Sequence, residues 1–262
     1  MRPVEYIGGT KMTINLKGKT ALITGASGQL GRVMARTLAA CGANIAVHYG
    51  QNEAIAASLA EEIKAMGCWA MAVQADITNE ASVNQMRDIV LDNLGHVDIV
   101  VNNAVIQYQW TTILEQDLTD FRSQFESCTM QSVLTAKAFL PAMKEKKAGR
   151  FIGINTECSA LCNADSGAYA AAKRGMDGLY RVLAKEVGSS GVTVNQVSPG
   201  WTISDRDREN GTEIAPHYSD KIPLDRRGTD QEIANVVLFL ASDLSSFVTG
   251  VNIPVCGGAV MV

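Results

Sequence analysis

KTALITGASGQLG, residues 19–31, decides how the rest of this chain reads. KTALIT (19–24) is a short apolar run of the kind that forms a buried strand. It breaks into TGASGQLG (24–31), whose glycines permit a sharp turn. From about Gly28 to Cys41 the chain is rich in Ala, Leu and Met, as a helix would be. A glycine-rich turn between a strand and a helix presents free backbone N–H groups and the positive end of a helix, which together suit a phosphate.

The same alternation continues outward from this unit. Strand-like runs recur at NIAVHY (44–49), WAMAVQ (69–74), VDIVVN (97–102), RFIGIN (150–155), VTVNQV (192–197) and VNIPV (251–255). Helical stretches separate them near 53–66, 80–94, 117–146, 166–188 and 230–241. Runs that are apolar on both faces, each followed by one helix, predict an α/β chain. The expected architecture is a doubly wound parallel sheet of about seven strands with helices on both faces. No Pro/Gly/Ser linker divides the sequence. The expected organisation is a flexible extension over 1–13 and a single domain over 14–262. Residues 202–228 interrupt the rhythm with polar, turn-rich sequence, SDRDRENGTE at 204–213, as a lid or substrate loop would.

Composition narrows the function classes. Of 262 residues, 47% are hydrophobic and 19% charged, enough to bury a continuous interior and unlike a disordered chain. A net charge of −4 without a Lys/Arg run gives no electrostatic footprint for nucleic acid. No apolar stretch approaches the roughly 18 residues of a membrane helix, so no membrane partner is expected. The first residues, MRPVEYIGGTKM, lack the apolar core of a secretory signal. Six cysteines are scattered without a CxxC pair, which fits reduced thiols and a cytoplasmic location. Cys158 and Cys162 stand four apart with no histidine close in sequence, so no metal site is expected.

At the first βα junction of such a chain, TGASGQLG is placed to hold the pyrophosphate of a dinucleotide. Where the second strand ends, at Tyr49, a carboxylate would accept the ribose 2′-hydroxyl of NAD and repel the 2′-phosphate of NADP. Tyr49 is not acidic, yet no arginine lies in the turn or in 49–52 to attract that phosphate. The balance favours NADP over NAD. Further on, YAAAK (169–173) puts Tyr169 and Lys173 one helical turn apart on one face. Reducing a carbonyl requires a proton at oxygen as hydride reaches carbon. A phenol with a neighbouring ammonium is such an acid, and the ammonium is expected to lower its pKa.

In their order along the chain these residues resemble the short, single-domain branch of the short-chain dehydrogenase/reductase family. TGASGQLG, Asp76 in ADIT (75–78), NNA (102–104), YAAAK, Pro199-Gly200 and the Cys-Gly-Gly at 256–258 carry the resemblance, together with DQEIANVVLFLASDLSSFVTG (230–250). It covers about residues 14–260. The resemblance implies a Rossmann fold, and hydride transfer between a nicotinamide and a small-molecule carbonyl or secondary alcohol. Tyr169 is then the general acid/base, and Lys173 tunes it while holding the ribose. It implies that Gly25, Ser27, Gln29 and Leu30 approach the pyrophosphate and adenosine ribose, Asp76 and Ile77 the adenine, and Asn103 and Ala104 the ribose. The turn at Pro199 and Gly200, the backbone of Thr202 and the hydroxyl of Ser204 would meet the nicotinamide side. A homotetramer packed through the long helices after the fourth and fifth strands is the implied assembly.

Several positions depart from the family pattern. Gln29 stands where the middle glycine of T-G-x-x-x-G-x-G belongs, and Gly28 gives instead the spacing of the longer, sugar-modifying branch. Counting back from Tyr169, the serine that polarises the carbonyl is replaced by Thr156, with Ser159 the competing candidate. A threonine hydroxyl donates the same hydrogen bond with a more restricted rotamer. Alignment on AKAFLP (136–141) places Cys128 where the family has an asparagine that holds a proton-relaying water. Either Thr129 or Gln131 substitutes for it, or proton exchange slows. Cys256 replaces an aspartate. Glu157 has no counterpart and faces either the cleft or solvent. Tyr108, Trp110 and Trp201 are expected to rim the substrate pocket. These departures support an alternative reading, a cofactor-binding sensor or scaffold with weakened catalysis.

Overall fold

The computed structural model describes residues 14–261. The expected extension over 1–13 lies outside the described residues. The strands are β1 Thr20–Ile23, β2 Asn44–Tyr49, β3 Ala70–Gln74, β4 Ile99–Asn102, β5 Gly149–Ile154, β6 Val192–Pro199 and β7 Asn252–Val255. They form one sheet in the order β3-β2-β1-β4-β5-β6-β7, parallel at every pairing. The helices are α1 Gln29–Ala40, α2 Glu53–Ala65, α3 Glu80–Leu94, α4 Leu118–Gln124, α5 Gln131–Lys146, α6 Cys158–Leu161, α7 Gly167–Val187, α8 Asp205–Asn210, α9 Pro216–Ser219 and α10 Asp230–Ala241.

Successive strand side chains point to opposite faces, so the strands feed two cores. Ala21, Ile23, Ile45, Val47, Ile152 and Ile154 pack with α1, α2 and α10. Leu22, Ala46, Val100, Phe151 and Val194 pack with α3, α5 and α7. Both faces being covered is why the strands read as unbroken apolar runs. The strand order reverses between β1 and β4, and open α/β sheets bind ligands beside the carboxyl ends of strands at such a reversal. Thr24, Asn103, Thr156 and Gly200 follow the ends of β1, β4, β5 and β6 there.

The structure departs from the sequence reading in two places. The single helix expected over 117–146 is α4 and α5 joined by a π-helical segment, Phe125–Met130, that contains Cys128. Such a segment widens the helix locally without disturbing its apolar pattern, and it recurs near functional sites. The irregular segment 202–228 contains α8 and α9. Several of its charges pair within it or with the elements beside it: Arg227, almost fully buried, pairs with Asp207 at 2.7 Å, and Arg208 pairs with Asp205 and Asp230.

Candidate active site

The glycine-rich turn is held from three sides. Gly25 takes φ +62°, and a Cβ there would lie 2.9 Å from Ala104 Cα; one on Gly31 would overlap the Gly25 carbonyl oxygen. Thr24 is the hub. Its hydroxyl accepts the N–H groups of Asn103 (2.8 Å) and Ala104 (3.0 Å). The Asn103 carboxamide donates to the carbonyls of Thr24 (2.9 Å) and Gly25 (3.2 Å), so its side chain braces the turn.

His48 supplies the third anchor. Gly25 N–H donates to His48 Nδ1 at 2.9 Å, which leaves the ring proton on Nε2 to be donated to Ala75 O at 3.1 Å. Burial pushes this histidine down to about 4, so it is neutral as that pattern requires. Neither His48 nor Thr24 was assigned a role by the sequence reading. A histidine inside an apolar strand carries no local signal of the turn it reaches.

These residues fit a dinucleotide. Gly28, the N-cap of α1, offers no side chain to the helix's first turn, and no acidic residue stands there, so its N–H groups remain for an anion. Gln29 does not intrude. Its Nε2 donates to Ile203 O (2.8 Å) and Asp230 Oδ2 (3.2 Å), and its Oε1 accepts Asp205 N–H (3.2 Å). Ser27, nearly buried, turns its carbonyl to Arg32 Nη1 at 2.8 Å. Asp76 folds back on Thr78 N–H (2.9 Å) and its hydroxyl (2.6 Å), while Ile77 is buried beside it. Tyr49 belongs to the core and is only 7% exposed, because the last β2 residue points inward.

Toward β5 and β6 lies a cavity of about 510 Å³, lined by Leu30, Asn103, Thr156, Glu157, Tyr169, Lys173, Pro199, Gly200 and Thr202 among others. Thus the glycine turn and the tyrosine–lysine pair open on one space. Tyr169 and Thr156 both line this space. Ser159 instead donates to Thr156 O at 2.8 Å and is buried, so it is withdrawn from the cavity. Trp110 and Trp201 line the space, with Trp110 at 5.9 Å from the Tyr169 ring. Tyr108 Oη accepts Tyr169 N–H at 3.1 Å.

Two expectations, the lowered Tyr169 pKa and the role of the Ser204 hydroxyl, need correction. The Tyr169 phenol is raised above its ordinary value, not lowered: burial dominates, the Cys128 and Cys158 thiols add to it, and the Thr156 hydroxyl opposes it. Lys173 Nζ is 5.6 Å from the ring centroid and spends a 2.6 Å bond on Ile154 O. Ser204 does not offer its hydroxyl to the cavity; it caps α8, with Oγ 2.6 Å from Asp207 Oδ2 and accepting Asp207 N–H. Neither candidate substitute for Cys128 is free. Thr129 donates to Ala172 O at 2.8 Å, and the Gln131 carboxamide is engaged with Thr24, Ala104 and Ser127.

Glu157 faces the cleft. It is 6% exposed, and both carboxylate oxygens lie 3.0 Å from Tyr218 Oη, which also accepts Trp201 N–H at 3.0 Å. Burial raises the Glu157 carboxyl above the usual carboxylate range, against the Tyr218 bond. Cys256 Sγ accepts Val260 N–H at 3.3 Å, a local turn contact where an aspartate was expected.

The sequence model of the family described as enoyl-(acyl carrier protein) reductase matches residues 25–260. The chain belongs to the short-chain dehydrogenase/reductase family. It is 35% identical to the 3-oxoacyl-[acyl-carrier-protein] reductase of Escherichia coli K12, over 95% of this chain and 100% of that one. The Staphylococcus epidermidis reductase of the same name is 34% identical over 93% and 99%. Among solved structures, 7α-hydroxysteroid dehydrogenase complexed with NADH and 7-oxoglycochenodeoxycholic acid superposes with TM-score 0.85 at 31% identity, covering 94% of this chain and 96% of that one. NAD⁺-bound xylitol dehydrogenase gives TM-score 0.87 at 27% identity, over 93% and 99%. This short-chain dehydrogenase/reductase is therefore an NAD(P)-dependent oxidoreductase acting on a carbonyl or alcohol group of a small-molecule substrate. Nothing in these likenesses favours the sensor or scaffold alternative. No helix among the described residues is long and apolar enough to cross a membrane.

Proposed function

We propose that this chain is a carbonyl reductase working through Thr156, Tyr169 and Lys173. The observation that carries the proposal is that Tyr169 and Thr156 share one cavity with Lys173 and with Leu30 of the glycine turn. The nicotinamide, when bound, supplies the hydride. Thr156 donates to the carbonyl oxygen and Tyr169 delivers the proton to it. Lys173 holds the ribose. Gly25, Ser27, Gln29 and Leu30 meet the pyrophosphate side through the backbone, Asp76, Ile77, Asn103 and Ala104 the adenosine side, and Pro199, Gly200 and Thr202 the nicotinamide side. The segment 202–228 covers the substrate. NADP is the favoured cofactor, since 49–52 carries no carboxylate. Six free thiols support a reducing, cytoplasmic setting, and the apolar groove between α5 and α7, lined by Val133, Leu140, Leu179 and Leu183, supports a homotetramer packed there.

A phenol raised by burial stays protonated through neutral pH, which suits donation. Reduction is expected to be insensitive to pH between about 6 and 8, whereas alcohol oxidation, which needs the phenolate, rises with pH. Replacing Tyr169 with Phe tests the assignment. Turnover should fall about 10²- to 10⁴-fold, the usual contribution of a placed acid, while calorimetry still detects NADPH binding. Unchanged turnover would remove Tyr169 from the mechanism.

A further inference from the structure

We propose that Glu157 is the specificity-determining acceptor for a hydroxyl next to the reacting carbonyl, so that the substrate is a small hydroxyketone or its diol. This rests on the reading that Thr156 and Tyr169 hold the carbonyl. Glu157 follows Thr156 directly in the chain and lines the same cavity. An ionised carboxylate accepts about four hydrogen bonds. Glu157 has the Tyr218 hydroxyl, shared between its two oxygens, and no Lys, Arg or His pairs with it among the described residues. A carboxylate this buried with spare acceptor capacity is costly unless a ligand donor completes it.

The pocket chemistry separates possible ligand groups. An apolar acyl tail against Glu157 would strip its remaining solvation and return nothing. A hydroxyl both donates and accepts. Asn163 lines the same cavity, and its carboxamide makes no hydrogen bond among the described residues. Glu157 and Asn163 thus place an acceptor and a donor on the wall of one cavity. An ammonium only donates, and it would add charge beside Lys173. Trp110 and Trp201 give the carbon skeleton an aromatic wall.

The decisive comparison is hydroxyacetone against butanone, which have the same number of heavy atoms and differ by a hydroxyl for a methyl. With NADPH and NADH as reductants, kcat/KM for hydroxyacetone is expected to exceed that for butanone by about 10- to 100-fold, the range for a hydrogen bond to a charged group. In Glu157→Leu the ratio falls to near one. Glu157→Gln, which keeps the shape and an acceptor oxygen, retains an intermediate ratio. Cofactor binding by calorimetry verifies that both variants fold. A ratio near one in the parent enzyme overturns the proposal, as does a ratio that both variants leave unchanged. Preference for aminoacetone overturns the hydroxyl assignment, and preference for the acetoacetyl thioester of N-acetylcysteamine overturns the substrate class. Tyr169→Phe lowers turnover of every ketone by a similar factor and leaves the ratio of the residual rates unchanged, so failure of the catalytic reading is separately visible. If no ketone is turned over, calorimetry of hydroxyacetone with the NADPH-loaded chain decides. Binding that is absent, or equal in Glu157→Leu, overturns the proposal.

Discussion

The two ends of the cleft are built on opposite terms. Around the glycine turn almost every polar side chain is bound to another part of the protein: Thr24 to Asn103 and Ala104, Asn103 to Thr24 and Gly25, His48 to Gly25 and Ala75. Around Tyr169 the polar groups have capacity left over. Glu157 has one hydroxyl for a carboxylate, and the Asn163 carboxamide has no protein partner among the described residues. Groups that satisfy one another hold shape, while groups left wanting face a ligand. The first end binds something common to the family mostly through backbone; the second is where this member chooses what it reduces.

Removing hydroxyls at the carbonyl end should have the largest effect. Thr156→Val keeps the shape and deletes the donor. Turnover is expected to drop about 10²- to 10³-fold, as when one donor to a developing oxyanion is lost. Ser159→Ala, which removes only the bond to Thr156 O, should cost less than tenfold. Steady-state kinetics of the two variants separate them. Equal losses would mean that the hydroxyls act together and that the preference for Thr156 is wrong.

The turn end is tested by acid. His48 sits at about 4 when folded against 6.5 for the free side chain, so below pH 6.5 the unfolded chain takes up a proton that the folded chain refuses. Stability is therefore full above about pH 6.5 and falls as pH drops toward 4, by roughly 3 kcal/mol from this group. Urea midpoints at pH 7.5 and 4.5 measure the loss, and His48→Leu should flatten that part of it. If the variant keeps the parent's full acid dependence, His48 is not the pin.

Much of the fold was legible, for a reason visible in Leu22 and Ile23. Neighbouring strand residues are both buried, on opposite faces, so each strand appears as an apolar run with clear ends. The π-helical segment at Phe125–Met130 was not legible, because one widened turn leaves the apolar pattern of 117–146 intact. The Ser204 error was avoidable. Ser204 followed three residues later by Asp207 is a cap pattern, as is Thr229 with Glu232, and both close as capping boxes. Thr156 and Tyr169 were singled out by their place in the family's motif order, and the structure brings both to one cavity. His48 and Tyr218 were not, because each reaches its partner through the fold: 23 residues to Gly25, 61 to Glu157.

Gln29 belongs to both ends, and it gives the smallest expected effect. It stands where the family's glycine would bring only backbone, and its carboxamide ties the start of α1 to Ile203, Asp205 and Asp230. Arg32 adds a pair with Asp205 on the same side. The segment after β6 is thereby fastened to the turn proposed to receive the pyrophosphate, so ordering one would order the other. Gln29→Gly deletes these bonds and restores the family residue, but leaves the Arg32 pair. With about 1 kcal/mol per exchanged neutral hydrogen bond, and two or three part-exposed bonds in competition with water, a change of about 3- to 10-fold in KM for the cofactor is expected. Because Glu157 and Thr156 do not touch this tie, the ratio of hydroxyacetone to butanone should stay where it was. A Gln29→Gly enzyme whose substrate preference moves with its cofactor KM would mean that the two ends of the cleft are one mechanical unit, and that the division drawn between them is false.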